Sequence, residues 1–273
     1  MVKIASPLFI VRNEAETDLF GVLEKLAAVG FQGVEFLGFF GLTPRAIRQK
    51  LDSISLKAMG NHVDLDAFAA DPERVIEDHL TLGCEYITLS LPERAHDPET
   101  DGFAECLLNL PSAAEKCVKS GITPLFHNHQ FEFERDLRTL PGRPYGDEQY
   151  MLDVILNAVP AFAFEPDIGW MLYAGADPAQ YLARYHSRCP VIHLKDVYIG
   201  GAARDAGVKG EAIFRPTGYG SVAWERIFPL ALECDPQWFV IDHDCAYDRD
   251  AYQDLAWSLA FTQNMLNILE TPL

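Results

Sequence analysis

Positive charge is scarce in this sequence. Twenty-two lysines and arginines stand against 40 aspartates and glutamates, a formal net charge of −18. No basic run interrupts the deficit. Nucleic-acid backbones are bound through clustered Lys and Arg that displace counterions, so a nucleic-acid partner is not expected. Long apolar runs are missing as well: nothing reaches the roughly 18–20 residues that span a bilayer. The opening MVKIASPLFIVRNEAE reads as a strand, without the basic leader and long apolar core of a targeting segment. No membrane partner and a cytoplasmic location are therefore expected. The six cysteines (Cys84, Cys106, Cys117, Cys189, Cys234 and Cys245) form no CxxC pair, the pattern of free thiols in a reducing compartment. A glycine-rich phosphate turn is also absent from SPLFIVRN, where an open dinucleotide-binding sheet would carry one.

What remains is a globular composition, 49% hydrophobic and 23% charged over 273 residues. Eight short apolar runs punctuate it: VKIAS (2–6), GVEFL (33–37), LKAMGNH (56–62), EYITLSL (85–91), TPLFHNH (123–129), AFAFEPD (161–167), PVIHLKD (190–196) and WFVIDHD (238–244). They are nearly continuous in apolarity, as parallel strands buried on both faces should be. Helical patterns fill most gaps between them. Leu19, Val22, Leu23 and Leu26 share one face, with Gly30 as a stop. Thr43-Pro44, Asp71-Pro72 and Asp177-Pro178 each read as an N-cap followed by proline at the first helical position. Gly83 and Gly121 close two more helices, Pro111 splits or kinks the segment 103–120, and a last amphipathic helix covers about 250–269. Eight strand–helix alternations without a linker predict one domain, residues 1–273, folded as an α/β (β/α)8 TIM barrel.

In such a barrel, active sites gather at the C-terminal ends of the strands, and the polar residues of this sequence gather there too. The second run carries Glu35, the third Asn61-His62 and the fifth His127-Asn128-His129. The sixth ends in Glu165 and Asp167, the seventh in His193, Lys195 and Asp196, and the eighth in Asp242, His243 and Asp244. Two imidazoles and two carboxylates from runs five to eight form a mixed N/O set suited to Mn²⁺, Zn²⁺, Co²⁺ or Mg²⁺. Such an ion polarises a carbonyl and its neighbouring hydroxyl, and a nearby carboxylate or histidine moves a proton on the adjacent carbon.

The stretches GVEF (33–36), HNHQFEFE (127–134), FEPDIGWMLYAGADPAQYL (164–182), VIHLKDV (191–197) and FVIDHD (239–244) resemble the sugar phosphate isomerase/epimerase family, with its xylose-isomerase-like barrel. The likeness is to the branch whose fifth strand reads HNHxFEF, and it runs from the first strand to the eighth. It implies one metal ligand from each of strands five to eight: His127, Asp167, His193 and Asp242 at the matching positions. Two of these depart from the family, because His127 stands where a carboxylate is usual and Asp242 where a glutamate is usual. Those two glutamates are the proton-transferring pair of the sugar epimerases. The resemblance therefore implies catalytic roles for Glu132, Asp242, His127 and Lys195, and substrate contacts from Glu35, His62, His129, Trp170 and Lys195. Glu165 and Asp196 are expected in supporting roles, and Gly218 and Gly220 in backbone geometry within RPTGYGSVAW (215–224).

The expected function is a divalent-metal-dependent isomerase or epimerase acting on a sugar or keto-sugar. β-Elimination needs one base and one acid and tolerates unlike partners. A dehydratase or lyase acting on a keto-sugar, keto-glycoside or inosose is thus the alternative, and a non-catalytic sugar-binding barrel the second. The expected partners are a small-molecule carbohydrate and, in a homodimer, a second copy of the chain.

Overall fold

Buried, β-branched and aromatic runs need hydrogen-bonded neighbours on both edges, and here they find them in one another. The computed structural model describes residues 2–142, 144–200 and 212–270. Its strands are β1 (Lys3–Pro7), β2 (Gly33–Phe36), β3 (Lys57–Asp64), β4 (Tyr86–Ser90), β5 (Thr123–His127), β6 (Ala163–Glu165), β7 (Val191–His193), β8 (Asp196–Tyr198), β9 (Ile213–Arg215) and β10 (Trp238–Val240). Eight of them pair in parallel in the order β6-β5-β4-β3-β2-β1-β10-β7. The two ends of this sheet meet at a parallel bridge between Asp167 and His193, with the His193 N–H donating to Pro166 O at 2.9 Å. Two expected metal ligands thus form the seam of a nearly closed barrel. β8 and β9 make a separate antiparallel pair, an element the sequence did not announce.

The helices are α1 (Arg12–Val29), α2 (Pro44–Ser53), α3 (Leu65–Ala70), α4 (Pro72–Leu82), α5 (Asp101–Lys119), α6 (Met151–Ala158), α7 (Ile168–Ala174), α8 (Pro178–Tyr185), α9 (Trp224–Glu233) and α10 (Ala251–Glu270). Thr43, Asp71 and Asp177 accept from backbone N–H groups at the starts of α2, α4 and α8, as their sequence predicts. Gly30 and Gly83 end α1 and α4 in the left-handed region. Pro111 lies inside α5, which remains one helix.

Side chains two apart on a strand share a face, and this parity builds the site. Ala5, Met59, Tyr86, Leu125, Val191, Trp238 and Val240 form one buried cluster. Gly33 leaves room for Trp238, since a Cβ there would lie 2.7 Å from the indole. Two residues further along the same faces come His127 after Leu125, His193 after Val191 and Asp242 after Val240, with Lys195 two beyond His193. Glu165 and Asp167 follow Ala163, which packs on the same cluster. An apolar floor therefore supports a polar layer at the strands' C-terminal ends.

Candidate active site

His127 of β5 and Glu165 of β6 are register partners, so their side chains enter the barrel at one level. His127 Nδ1 lies 3.6 Å from Glu165 Oε2, and His62 Nε2 lies 3.5 Å from the same oxygen. His193 Nε2 stands 3.5 Å from Glu165 Oε1 and 3.2 Å from Glu35 Oε2. One potential donor atom from each of His62, His127, Glu165 and His193 falls within 4.8 Å of all the others. Thr88 Oγ1 donates to Glu165 Oε2 at 3.0 Å and fixes that carboxylate.

A second group adjoins the first. Asp167, His193 and Asp242 also lie within 4.8 Å of one another through one donor atom each. Lys195, 2% exposed, reaches between them. Its Nζ is 3.1 Å from Asp167 Oδ2, 3.0 Å from Asp242 Oδ2 and 2.7 Å from Asp244 Oδ1. Only the contact to Asp244 has clear hydrogen-bond direction; the other two are ion pairs. The expected quartet spans both groups: Asp167, His193 and Asp242 meet around the lysine, and His127, with Nε2 3.7 Å from Asp167 Oδ2, also joins His62, Glu165 and His193. Glu165, expected only to support, lies fully buried within the first group.

His193 belongs to both groups and faces them differently. Its Nδ1 donates to Asp242 Oδ2 at 3.1 Å, and its Nε2 has no hydrogen-bond partner among the described residues. Glu35 Oε1, His127 Nδ1, Glu165 Oε1 and Asp242 Oδ1 are likewise buried without one, and Asp167 Oδ2 has its ion pair with Lys195 but no hydrogen bond. Unpaired buried acceptors are costly. So many at the end of one barrel, supplied by imidazole and carboxylate, form a donor set that fits a divalent cation.

Charges in this layer are set by their neighbours. Burial works to raise Glu35, but His193 and His62 hold it well below the usual carboxylate range. Burial works to lower His193, and Glu35 and Glu165 outweigh it. Burial, with the Glu35 charge beside it, raises Glu165. Burial pushes Asp167 up to about 6 despite Lys195. The opposite holds for Asp242, where burial is overcome by Lys195 and His193 and the carboxyl stays ionised. Burial followed by the His193 charge keeps His127 neutral.

Two cavities open on this layer. One of about 200 Å³ is lined by residues including Glu35, His62, His127, His193, Lys195 and Asp242. A neighbouring one of about 390 Å³ is lined by Leu91, His96, Phe131, Glu132 and Trp170 among others. Ser90, His127 and His129 border both. Glu132 is buried at 1% exposure, and its Oε2 accepts from the His129 backbone N–H at 2.8 Å. Burial pushes its carboxyl up to about 8, against the pull of that hydrogen bond. Burial, then the charges of Lys195 and His62, lowers His129 to about 3. The middle residue of HNH serves the backbone instead: Asn128 Oδ1 accepts from Asp167 N at 2.9 Å.

Asp196 and the glycines act as expected. The Asp196 carboxylate accepts from the backbone N–H of Gly218, Gly220 and Val222 at 2.9, 3.0 and 3.2 Å, and from Trp224 Nε1 at 2.7 Å. A Cβ on Gly220 would lie 2.1 Å from Asp196 Oδ1, so only glycine lets the loop close over the carboxylate. His243 pairs with Asp254 on α10 at 3.2 Å, and Arg135 pairs with Asp97 and Glu99. None of these is among the residues lining the two cavities.

Sequence comparison matches residues 23–262 to the xylose isomerase-like TIM barrel family. The chain belongs to this family. It is 23% identical over 255 residues to an inosose dehydratase of Geobacillus kaustophilus (strain HTA426), across 81% of this chain and 78% of that protein. Among solved structures it superposes on a sugar phosphate isomerase/epimerase from Parabacteroides distasonis ATCC 8503 with a TM-score of 0.74. That match has 20% identity and covers 96% of this chain and 94% of that one. It also superposes on the IOLI protein with a bound zinc atom, TM-score 0.70, at 11% identity over 96% and 97% of the two chains. The family and its named relatives are enzymes, which sets the non-catalytic alternative aside. Among the described residues no helix is long and apolar enough to cross a membrane.

Proposed function

We propose that the protein is a metal-assisted lyase that carries out β-elimination on a keto-sugar or keto-cyclitol. The observation that carries this reading is a buried acid at the edge of the larger cavity, Glu132, whose carboxyl burial raises to about 8. Symmetrical epimerisation is served by two like carboxylates, whereas elimination is served by one base and one acid. The name of the inosose dehydratase relative agrees with a keto-cyclitol as substrate class.

In this reading His62, His127, Glu165 and His193 hold a divalent cation. The unpartnered Nε2 of His193 and the Asp242 carboxylate on its Nδ1 support that choice, because a ligating imidazole donates its other N–H to a carboxylate. Asp167 and Asp242, first expected as ligands, already have the Lys195 ammonium as counter-charge. When bound, the ion supplies Lewis-acid polarisation of the substrate carbonyl. Lys195 adds positive charge where an enolate oxygen develops. Glu132 gives its proton to the departing oxygen, and the proton beside the carbonyl passes to a carboxylate or imidazole of the strand-end layer.

Isomerase or epimerase chemistry is the second reading. It is supported by Asp242 Oδ1, which is buried without a partner on a residue lining the smaller cavity and offers a second proton carrier from another strand end. Incubation with inososes and keto-sugars in D₂O separates the two. Loss of water to an unsaturated ketone supports elimination; deuterium in an intact isomer or epimer overturns it in favour of the second reading.

A further inference from the structure

Strand parity leaves one residue facing the helices between each pair that faces the barrel interior. Leu194 lies between His193 and Lys195, and His243 between Asp242 and Asp244. Both are held from behind by α10. The Leu194 carbonyl accepts from Thr217 Oγ1 at 2.7 Å, and the Thr217 N–H donates to Ser258 Oγ at 2.9 Å. Ser258 Oγ in turn donates to the Asp254 carbonyl at 2.8 Å. His243 Nε2 donates to Asp254 Oδ2 at 3.2 Å. A third route leaves Asp254 through Arg249, whose Nε donates to the two carboxylate oxygens at 3.0 and 2.8 Å. Arg249 Nη2 reaches the Phe214 carbonyl of β9 at 3.4 Å, and Tyr247 Oη accepts from the Phe214 N–H at 3.1 Å.

The three routes end on segments that meet at one side chain. Lys195 belongs to the first, and its partners Asp242 and Asp244 to the second. Phe214, on the third, has its ring centroid 5.7 Å from Lys195 Nζ and packs edge-on against Trp170 at 5.4 Å. Seating the helix does not call for these bonds, because Leu255, Leu259 and Leu266 of α10 are already buried. Asp254, Ser258 and His243 are nevertheless fully buried as well, and His243 Nδ1 has no hydrogen-bond partner among the described residues. Burying polar groups is costly, and apolar side chains of similar volume hold a helix at least as well. What directional bonds add is a fixed position for the atoms they join.

We propose that Asp254, with Ser258 one turn away on α10, is a positioning residue that braces both strand ends and β9 and so fixes the place of the Lys195 ammonium. Its bearing on catalysis rests on the elimination reading above, in which Lys195 adds charge where the enolate oxygen develops.

The test is hydrogen–deuterium exchange of the full chain with saturating Zn²⁺, read by mass spectrometry. It compares Asp254→Asn, Ser258→Ala and a control that loosens the helix through its apolar face, Leu266→Ala. A segment opens more often once the bonds that hold it are gone, so Asp254→Asn should speed exchange about tenfold at 213–215 and 240–244. Ser258→Ala should do so at 192–195 and 216–218, and in both variants 260–268 should change by less than about threefold. Leu266→Ala should show the reverse pattern. Faster exchange along α10 with both strand ends unchanged overturns the bracing, since Asp254 then only seats its helix. Ser258→Ala, the milder change, decides the matter if Asp254→Asn does not fold. Turnover of inososes or keto-sugars gives a second measure. Asp254→Asn should lower kcat about 10–100-fold with KM within about threefold, because a displaced charge weakens the transition state more than the bound substrate. An unchanged kcat overturns the proposal and leaves the elimination reading standing. A wild-type protein that turns over no ketone sinks the elimination reading, and the exchange pattern then upholds or overturns the bracing by itself.

Discussion

The imidazole of His193 is held by Asp242, Nδ1 to Oδ2 at 3.1 Å, and so presents Nε2 to Glu35 and Glu165 rather than to the aspartates. This one hydrogen bond decides which of the two neighbouring groups Nε2 faces. It leads to the first prediction. Glu165→Gln and His62→Gln should each lose bound metal on dialysis, and Asp242→Asn should keep it with affinity weakened about 10–100-fold. Metal analysis reads the content, and paramagnetic resonance of the Cu²⁺-loaded protein counts nitrogen ligands. Coupling to a single nitrogen would transfer the site to the trio of Asp167, His193 and Asp242.

Chelation supplies a companion measurement. A ligand that binds only the folded state stabilises it in proportion to the logarithm of its excess, about 4 kcal/mol at a thousand times Kd. Removing the ion should therefore lower Tm, and Mn²⁺ or Zn²⁺ should restore it. An unchanged Tm with either ion at saturating concentration counts against a metal in this barrel.

Lys195 balances two buried carboxylates, Asp167 and Asp242, and the half-buried Asp244. Lys195→Met removes the cation and leaves the carboxylates facing one another. Breaking a buried pair in this way costs about 3–5 kcal/mol. Urea unfolding at neutral pH should show that loss. It should be smaller near pH 5, where Asp167, pushed up to about 6 by burial, takes up a proton.

Glu132 gives the pH dependence. Burial raises its folded-state carboxyl to about 8 from the usual 4.5. Between those values the folded protein binds the extra proton, so this residue makes stability fall as pH rises through that window. The slope approaches about 1.4 kcal/mol per pH unit and flattens above 8. Glu132→Gln should remove that slope. In turnover, kcat/KM for a substrate with a poor leaving group should decline as pH passes about 8, because the acid loses its proton.

Asp196 accepts four donors from one loop and one indole. Asp196→Ala strands all four, each at roughly 1–3 kcal/mol if it stays buried. Thermal unfolding should show a loss of several kcal/mol. Gly220→Ala should act in the same direction, because its methyl would collide with Asp196.

Much of this protein was legible before any coordinates. Thr43, Asp71 and Asp177 announced three helices by local chemistry, since a side-chain oxygen can cap a helix only from its start. Parity along each strand carries the apolar floor into the polar layer, but only the structure shows that Leu125, and with it His127, turns inward. The residues at the strand ends were therefore countable from the sequence alone. Glu132 was harder to read, because no local pattern distinguishes a carboxylate that folds back under its own loop from one left in solvent. The β8–β9 pair escaped for a similar reason: two three-residue strands carry too little pattern to stand out.

The sequence by itself determined the alternation that closes the barrel and the list of side chains at its mouth, because both follow from hydrophobic periodicity along the chain. Only the tertiary structure decided how that list divides. Asp167, Asp242 and Lys195 come from three different strand ends, and their distances depend on barrel closure at the Asp167–His193 bridge. The pairing of Lys195 with the aspartates, and of His127 with Glu165 and His62, arises from directions in space that no linear spacing encodes. The tertiary fold thus set the expected residues in a histidine-rich cluster beside a lysine-balanced pair of aspartates.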